Sequence, residues 1–125
     1  MNNWTIKSFV TVRGIDVIKE WLDGLPIKAQ VAIDERIRFL ALGSYGHRPY
    51  AAKLEGYDNI WEVRVKSEKI QYRPLGCSGP GDKVFSLLIG AREKGSHFEP
   101  KDAPKIAEKR RNLVYQDEKY LNEYC

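Results

Sequence analysis

The chain has 125 residues, 42% of them hydrophobic, and a formal net charge of +4. That length and composition suit one folded domain, residues 1–125, able to bury a core without disulfides or metal, and they argue for a folded globule over a disordered chain. No apolar run is long enough to span a bilayer, "MNNWTIKSF" lacks a signal-peptide pattern, and Cys77 and Cys125 match no metal spacing, so the expectation is a cytoplasmic protein with two free thiols and no metal or other cofactor.

In chain order, "WTIKSFVTV" sets Trp4, Ile6, Val10 and Val12 on one parity, broken at Ser8, and reads as a strand. "RGIDVIKEWLDGLP" spaces Ile15, Ile18, Trp21, Leu22 and Leu25 by threes and fours, a short helix closed near Gly24 and Pro26. A second helix follows with Ala29, Ile33, Ile37 and Leu40 on one stripe and Gly43 as terminator, so the two should pair as an antiparallel hairpin. "SYGHRPYAAKLEGYDN" is rich in turn residues around a short strand at 52–54. "IWEVRV" and "IQYRP", separated by "KSEK", predict a β-hairpin. "LGCSGPGDK" predicts a loop, and the continuously apolar "VFSLLIGA" a central strand covered on both faces. The last element opens with Asp102 as N-cap and Pro104 in the first turn of a helix striped by Ile106, Ala107, Leu113, Val114 and Leu121, with a loose tail from about residue 114. The order is βαα, a mostly antiparallel sheet of three or four strands, and a C-terminal helix: an α+β fold.

The hairpin carries the chemistry. A loop of two residues (Ser67, Glu68) or of four (66–69) sets Arg64 opposite Gln71 and Glu62 opposite Arg73. Alternation sends Trp61, Val63, Val65, Ile70 and Tyr72 to one face and Glu62, Arg64, Gln71 and Arg73 to the other, with the arginines as diagonal neighbours. Two planar guanidinium forks on one face suit a phosphate, whose oxygens each can hold in pairs. The plainer alternative is that Glu62 neutralises Arg73 and Arg64 faces water. Lys53 just before the hairpin, and Arg92, Lys94 and His97 just after the central strand, could converge on the same face. An imidazole titrates close to neutral pH and suits His97 to carry a proton, although a loop histidine is more often a spectator. His47 has no charged cluster beside it. Such a cluster fits metal-free RNA cleavage, in which a 2′-hydroxyl attacks the adjacent phosphate and cations stabilise the charge that builds on it.

The order βαα, then "KLEG" and "IWEVRV", then "IQYRPLG", then "VFSLLIGAREKG" and "FEPKDAPKIAEKRR" resembles the HigB/RelE superfamily of type II toxin–antitoxin toxins over roughly residues 4–113, and most closely its phage-derived, HigB-like branch. The most specific parts are the leucine-glycine element after Lys53, Glu62-x-Arg64, Tyr72-Arg73, and the spacing of Pro100 from Ala107. The resemblance implies a RelE-like fold and a small cytoplasmic ribonuclease that cuts mRNA, commonly on the translating ribosome, and is restrained by a cognate antitoxin. It assigns Arg64 and Arg73 as phosphate ligands, Lys53 as the lysine of the leucine-glycine element and Lys94 as the retained member of the basic pair after the last strand, in the catalytic set with His97, while Arg92 joins the RNA-binding residues by its position alone. Two departures stand out. Glu93 occupies a place where many relatives have lysine, and the C-terminal tyrosine or histidine has His97 as its nearest counterpart and Tyr115 as a poorer one. An inactive RNA- or ribosome-binding homologue, or a protein-interaction domain using Tyr115, Tyr120 and Tyr124, are the alternative readings.

Overall fold

The computed structural model describes residues 3–43 and 50–124; the readings made for His47, the turn-rich 44–49 and Cys125 fall outside them. The order is β1 (Thr5–Phe9), α1 (Val17–Asp23), α2 (Ile27–Ala41), β2 (Ala51–Lys53), β3 (Trp61–Val63), β4 (Val65–Ser67), β5 (Ile70–Tyr72), β6 (Leu75–Ser78), β7 (Val84–Ile89), β8 (Arg92–Lys94), β9 (His97–Glu99), α3 (Ala103–Gln116), a 3-10 turn (Glu118–Tyr120) and β10 (Leu121–Glu123). The α+β class is as expected, but the strands form two sheets, one of six in the order β10-β1-β7-β6-β3-β2 and one of four in the order β4-β5-β8-β9. Only β1 and β7 run parallel; every other pairing among the described strands is antiparallel.

β7 is the central strand that its apolar run predicts. Phe85 and Leu87 join the core under α1 and α2, while Leu88 joins the core under α3, so both faces of the six-stranded sheet are covered. The stripe read on α2 is the one it buries: Ala29, Ile33, Ile37 and Leu40 are at most 2% exposed. Asp16 caps α1, its carboxylate accepting from the amides of Ile18 (3.2 Å) and Lys19 (3.1 Å). The same carboxylate accepts from Ser8 Oγ at 2.8 Å, which explains how the polar break in β1 lies fully buried. Val12, read as part of that strand, lies beyond its end and is exposed.

Two segments differ from their sequence reading. Leu75–Ser78, taken for part of a loop, is strand β6, wedged between β3 and β7. Its glycine signals close approach: a Cβ on Gly76 would lie 2.5 Å from the Phe85 ring and 2.6 Å from the Ser86 carbonyl oxygen. The turn itself is confined to 79–83. The tail, read as loose, folds back and adds β10 to the edge of the sheet, pairing Lys7 with Glu123 and Phe9 with Leu121. Tyr120 stacks on Phe9 with ring centroids 5.8 Å apart, and Tyr124 donates from its hydroxyl to Asp34 on α2 at 2.6 Å. Local propensity could not reveal this, because the partners are β1 and α2 at the far end of the chain.

Burial alone would raise the Asp34 carboxyl, but hydrogen bonds from Arg38 and Tyr124, with the Arg38 charge, outweigh it and hold Asp34 below the usual carboxylate range. A depressed folded value contributes stability above the unfolded pKa, near 3.9, and loses it as pH falls through the folded one. Tyr124→Phe is therefore expected to cost about 1 kcal/mol at pH 7. Thermal melts should show that deficit narrowing below about pH 4.

Candidate functional site

Three short segments lead directly from a strand of one sheet to a strand of the other, and they do so side by side. The chain crosses at Arg64 between β3 and β4, at Arg73-Pro74 between β5 and β6, and at Gly90-Ala91 between β7 and β8. The crossings are tied together: Val63 N donates to Pro74 O (2.9 Å), Arg73 N to Ala91 O (2.8 Å) and Arg64 N to Tyr50 O (2.8 Å). Pro74 has no amide hydrogen to continue a ladder, which favours a break at that point. Both arginines thus sit on the line where the sheets meet.

The register corrects the predicted pairing. The turn residues are Glu68 and Lys69, both with left-handed φ (50° and 71°), as a two-residue hairpin turn requires. Val65 then faces Tyr72 and Lys66 faces Gln71, and the same register continued inward sets Arg64 opposite Arg73 rather than opposite Gln71. Glu62 faces Leu75, so it does not neutralise Arg73 across the strands. The register differs from the reading by two residues, which preserves which face each side chain takes, so the hydrophobic pattern could not distinguish the alternatives. The faces are as read: Val63, Val65 and Tyr72 are in the core with Trp61 and Ile70 against it, while Glu62, Arg64, Gln71 and Arg73 line a groove of about 440 Å³.

Like charges set opposite each other are unfavourable unless compensated. Glu62 accepts from Arg64 Nε at 2.7 Å, and Glu93 lies 3.5 Å from Arg73 Nη2. Arg73 also donates to the Gln71 side chain (3.2 Å) and to the Tyr72 carbonyl (3.0 Å). Its residue exposure is 9%, and its Nε is buried without an acceptor among the described residues. A desolvated guanidinium N–H left unpaired carries a real cost.

A third arginine, which sequence reasoning missed, comes from α2. Arg36 donates from Nη1 to the Arg64 carbonyl oxygen and lies over the Tyr50 ring, 4.3 Å from its centroid. Its only sequence signal was its place beside Ile37 on the flank of the buried stripe. The groove is lined by Arg36, Arg64, Lys66 and Arg73 against Glu62 and Glu93, a formal net charge of +2, and suits an anion.

The other candidates divide. Tyr72 pairs with Arg92 and Gln71 with Glu93, so Glu93 shares the arginine face and Arg92 does not. Arg92 Nε donates to Glu99 at 2.5 Å and Lys94 lies 3.5 Å from the same carboxylate, which the bond from Arg92 holds below its ordinary range. Lys53 pairs with Trp61 and so lies on the face away from Arg64. None of the three lines the groove. His97 lines an adjoining depression of about 260 Å³ that shares Glu62 and Glu93 with it. Tyr115 is engaged elsewhere, its hydroxyl donating to the Ser78 carbonyl and accepting from Asn59 at 3.2 Å. Burial pushes the Cys77 thiol up to about 12, which removes it as a nucleophile. Among the described residues no three His, Cys, Asp or Glu side chains are grouped to hold a metal ion, and no helix is long and apolar enough to cross a membrane.

Residues 20–112 match the family described as phage derived protein Gp49-like (DUF891), a span that takes in α2, both crossings of the arginine hairpin and most of α3. The chain belongs to the Gp49-like family. This family is associated with RelE/HigB-type toxins, in keeping with the motifs on the hairpin. No curated protein and no solved structure matches the chain.

Proposed function

We propose that this Gp49-like protein is the toxin of a type II toxin–antitoxin pair, of the HigB-like branch, and a metal-independent endoribonuclease that cuts mRNA on translating ribosomes in the cytoplasm. The observation that carries this reading is the juxtaposition of Arg64 and Arg73 at the sheet crossing, with Arg36 brought to the same open groove from α2. The scissile phosphate sits against the two strand arginines. Their guanidinium groups meet the charge that builds on the phosphorane, and being fixed in the fold they need no reorganisation during the reaction. His97, beside the groove, carries a proton to the leaving 5′-oxygen. The products are a 2′,3′-cyclic phosphate and a 5′-hydroxyl. Lys53, Arg92 and Lys94 supply background charge on other faces. The exposed apolar residues Ile27, Val31, Phe39 and Leu42 along α2 support a protein partner, which in this reading is the cognate antitoxin.

The test is end-mapping of mRNA after addition of purified protein to a translating extract and to naked RNA. New internal ends bearing cyclic phosphate are expected. A second reading, an RNA- or ribosome-binding homologue without cleavage, is favoured by the carboxylate of Glu93 beside Arg73, and it predicts bound but intact RNA. Under either reading Arg36→Ala and Arg64→Ala should each lower the slope of log affinity against log salt by about one, as measured by RNA binding from 50 to 200 mM salt.

A further inference from the structure

We propose that Glu93, the residue by which the chain departs from the basic pattern, is the base that takes the 2′-hydroxyl proton; this rests on the ribonuclease reading above. Two carboxylates enter the groove, and the structure separates their roles. Glu62 is tied by a 2.7 Å bond to Arg64 Nε with its side chain 12% exposed, so it is committed to orienting that arginine. Glu93 stands 3.5 Å from Arg73 Nη2 with its side chain 47% exposed, close to the phosphate ligand yet open to substrate. It borders the groove, the His97 depression and the shallow depression beside Lys69. Pairing with Gln71 across the ladder fixes its side chain on the arginine face.

The proton balance follows from that placement. A phosphate on Arg73 brings the adjacent ribose 2′-hydroxyl to Glu93. The carboxylate takes the hydroxyl proton as the 2′-oxygen bonds to phosphorus, the P–O5′ bond breaks, and protonated His97 gives a proton to the departing 5′-oxygen. A lysine in place of Glu93 would add phosphate affinity but could not accept a proton while charged. The substitution therefore exchanges binding charge for a proton acceptor.

The experiment compares wild type, Glu93→Gln and Glu93→Ala on programmed ribosomes, reading the single-turnover cleavage rate against pH, and separately the affinity for the same message carrying 2′-deoxy substitution at the cut site. Glu93→Gln is expected to slow cleavage by roughly 10²–10⁴-fold with affinity unchanged or tighter, and to abolish the acid limb of the pH profile. Added formate or acetate should restore part of the rate to Glu93→Ala, a rescue that a structural role would not give. Cleavage by Glu93→Gln at the wild-type rate or faster would overturn the inference and leave Glu93 as a counter-ion of Arg73. If wild type itself leaves RNA intact, the ribonuclease reading fails and the inference with it.

Discussion

Arg73→Ala is expected to lower mRNA cleavage by about 10²–10³-fold, the usual consequence of losing one preorganised donor to developing charge. The argument is structural as much as chemical. Arg73 is the most buried charged residue of the groove, held by Gln71 and the Tyr72 carbonyl so that Nη2 faces the groove beside Glu93. Removing it strips a placed cation from the phosphate and leaves Arg64, already bonded to Glu62, as the remaining strand ligand. Arg73→Lys should recover little, because an ammonium lacks the planar fork that reaches phosphate and Gln71 together. Stability should fall by about 1 kcal/mol, because a buried side chain is lost and the Gln71 and Tyr72 oxygens lose a donor, while the unpaired Nε and the solvent-accessible Glu93 add little to that cost. Induced expression of wild type beside Arg73→Ala, following growth and internal mRNA ends in the same cells, checks the expectation. Growth arrest and new ends confined to wild type would support it; equal arrest by a folded Arg73→Ala would refute the assignment.

The largest stability effect is expected at Gly90→Ala. A Cβ at this crossing would lie 1.9 Å from the Trp21 ring, which is in edge contact with Tyr72 at 6.2 Å and packs, partly buried, against the core, so the indole must give up that packing to make room. Overpacking of this kind should cost about 3 kcal/mol. That is a large part of a small domain's stability, and should lower Tm by roughly 10 °C or more. Trp21→Leu opens the space, so the double variant should be less destabilised than the sum of the single ones. Denaturant and thermal unfolding of the three variants measure this. A Gly90→Ala protein melting within a degree or two of wild type would refute it. The contact also explains how α1 influences the groove without lining it: Trp21 fixes Gly90-Ala91, and Ala91 holds the backbone of Arg73.

Much of the scaffold was legible because its signals are local and periodic. The buried stripe of α2, the central strand at β7 and the face assignment of the hairpin follow from spacings of 3.6 and 2 residues. The failures have a common origin. β6 contains Gly76 because Phe85 and Ser86 crowd it from the neighbouring strand, and β10 exists because β1 offers an edge; neither partner is near in sequence. The supposed cluster of Lys53, Arg92 and Lys94 separated for a related reason. Proximity along the chain to a site says nothing about which face a strand presents, and ladder pairing decided it.

The α+β class, the family motifs on the hairpin and the shared face of Arg64 and Arg73 were readable from the residues alone, since alternation is a property of the backbone and survives any even shift of register. It took the folded chain to show that these arginines oppose each other at a break between two sheets, that Arg36 joins them from a helix, and that Glu93 and not Arg92 faces them. Those facts depend on register and on packing between distant segments, which are set by contacts across the fold.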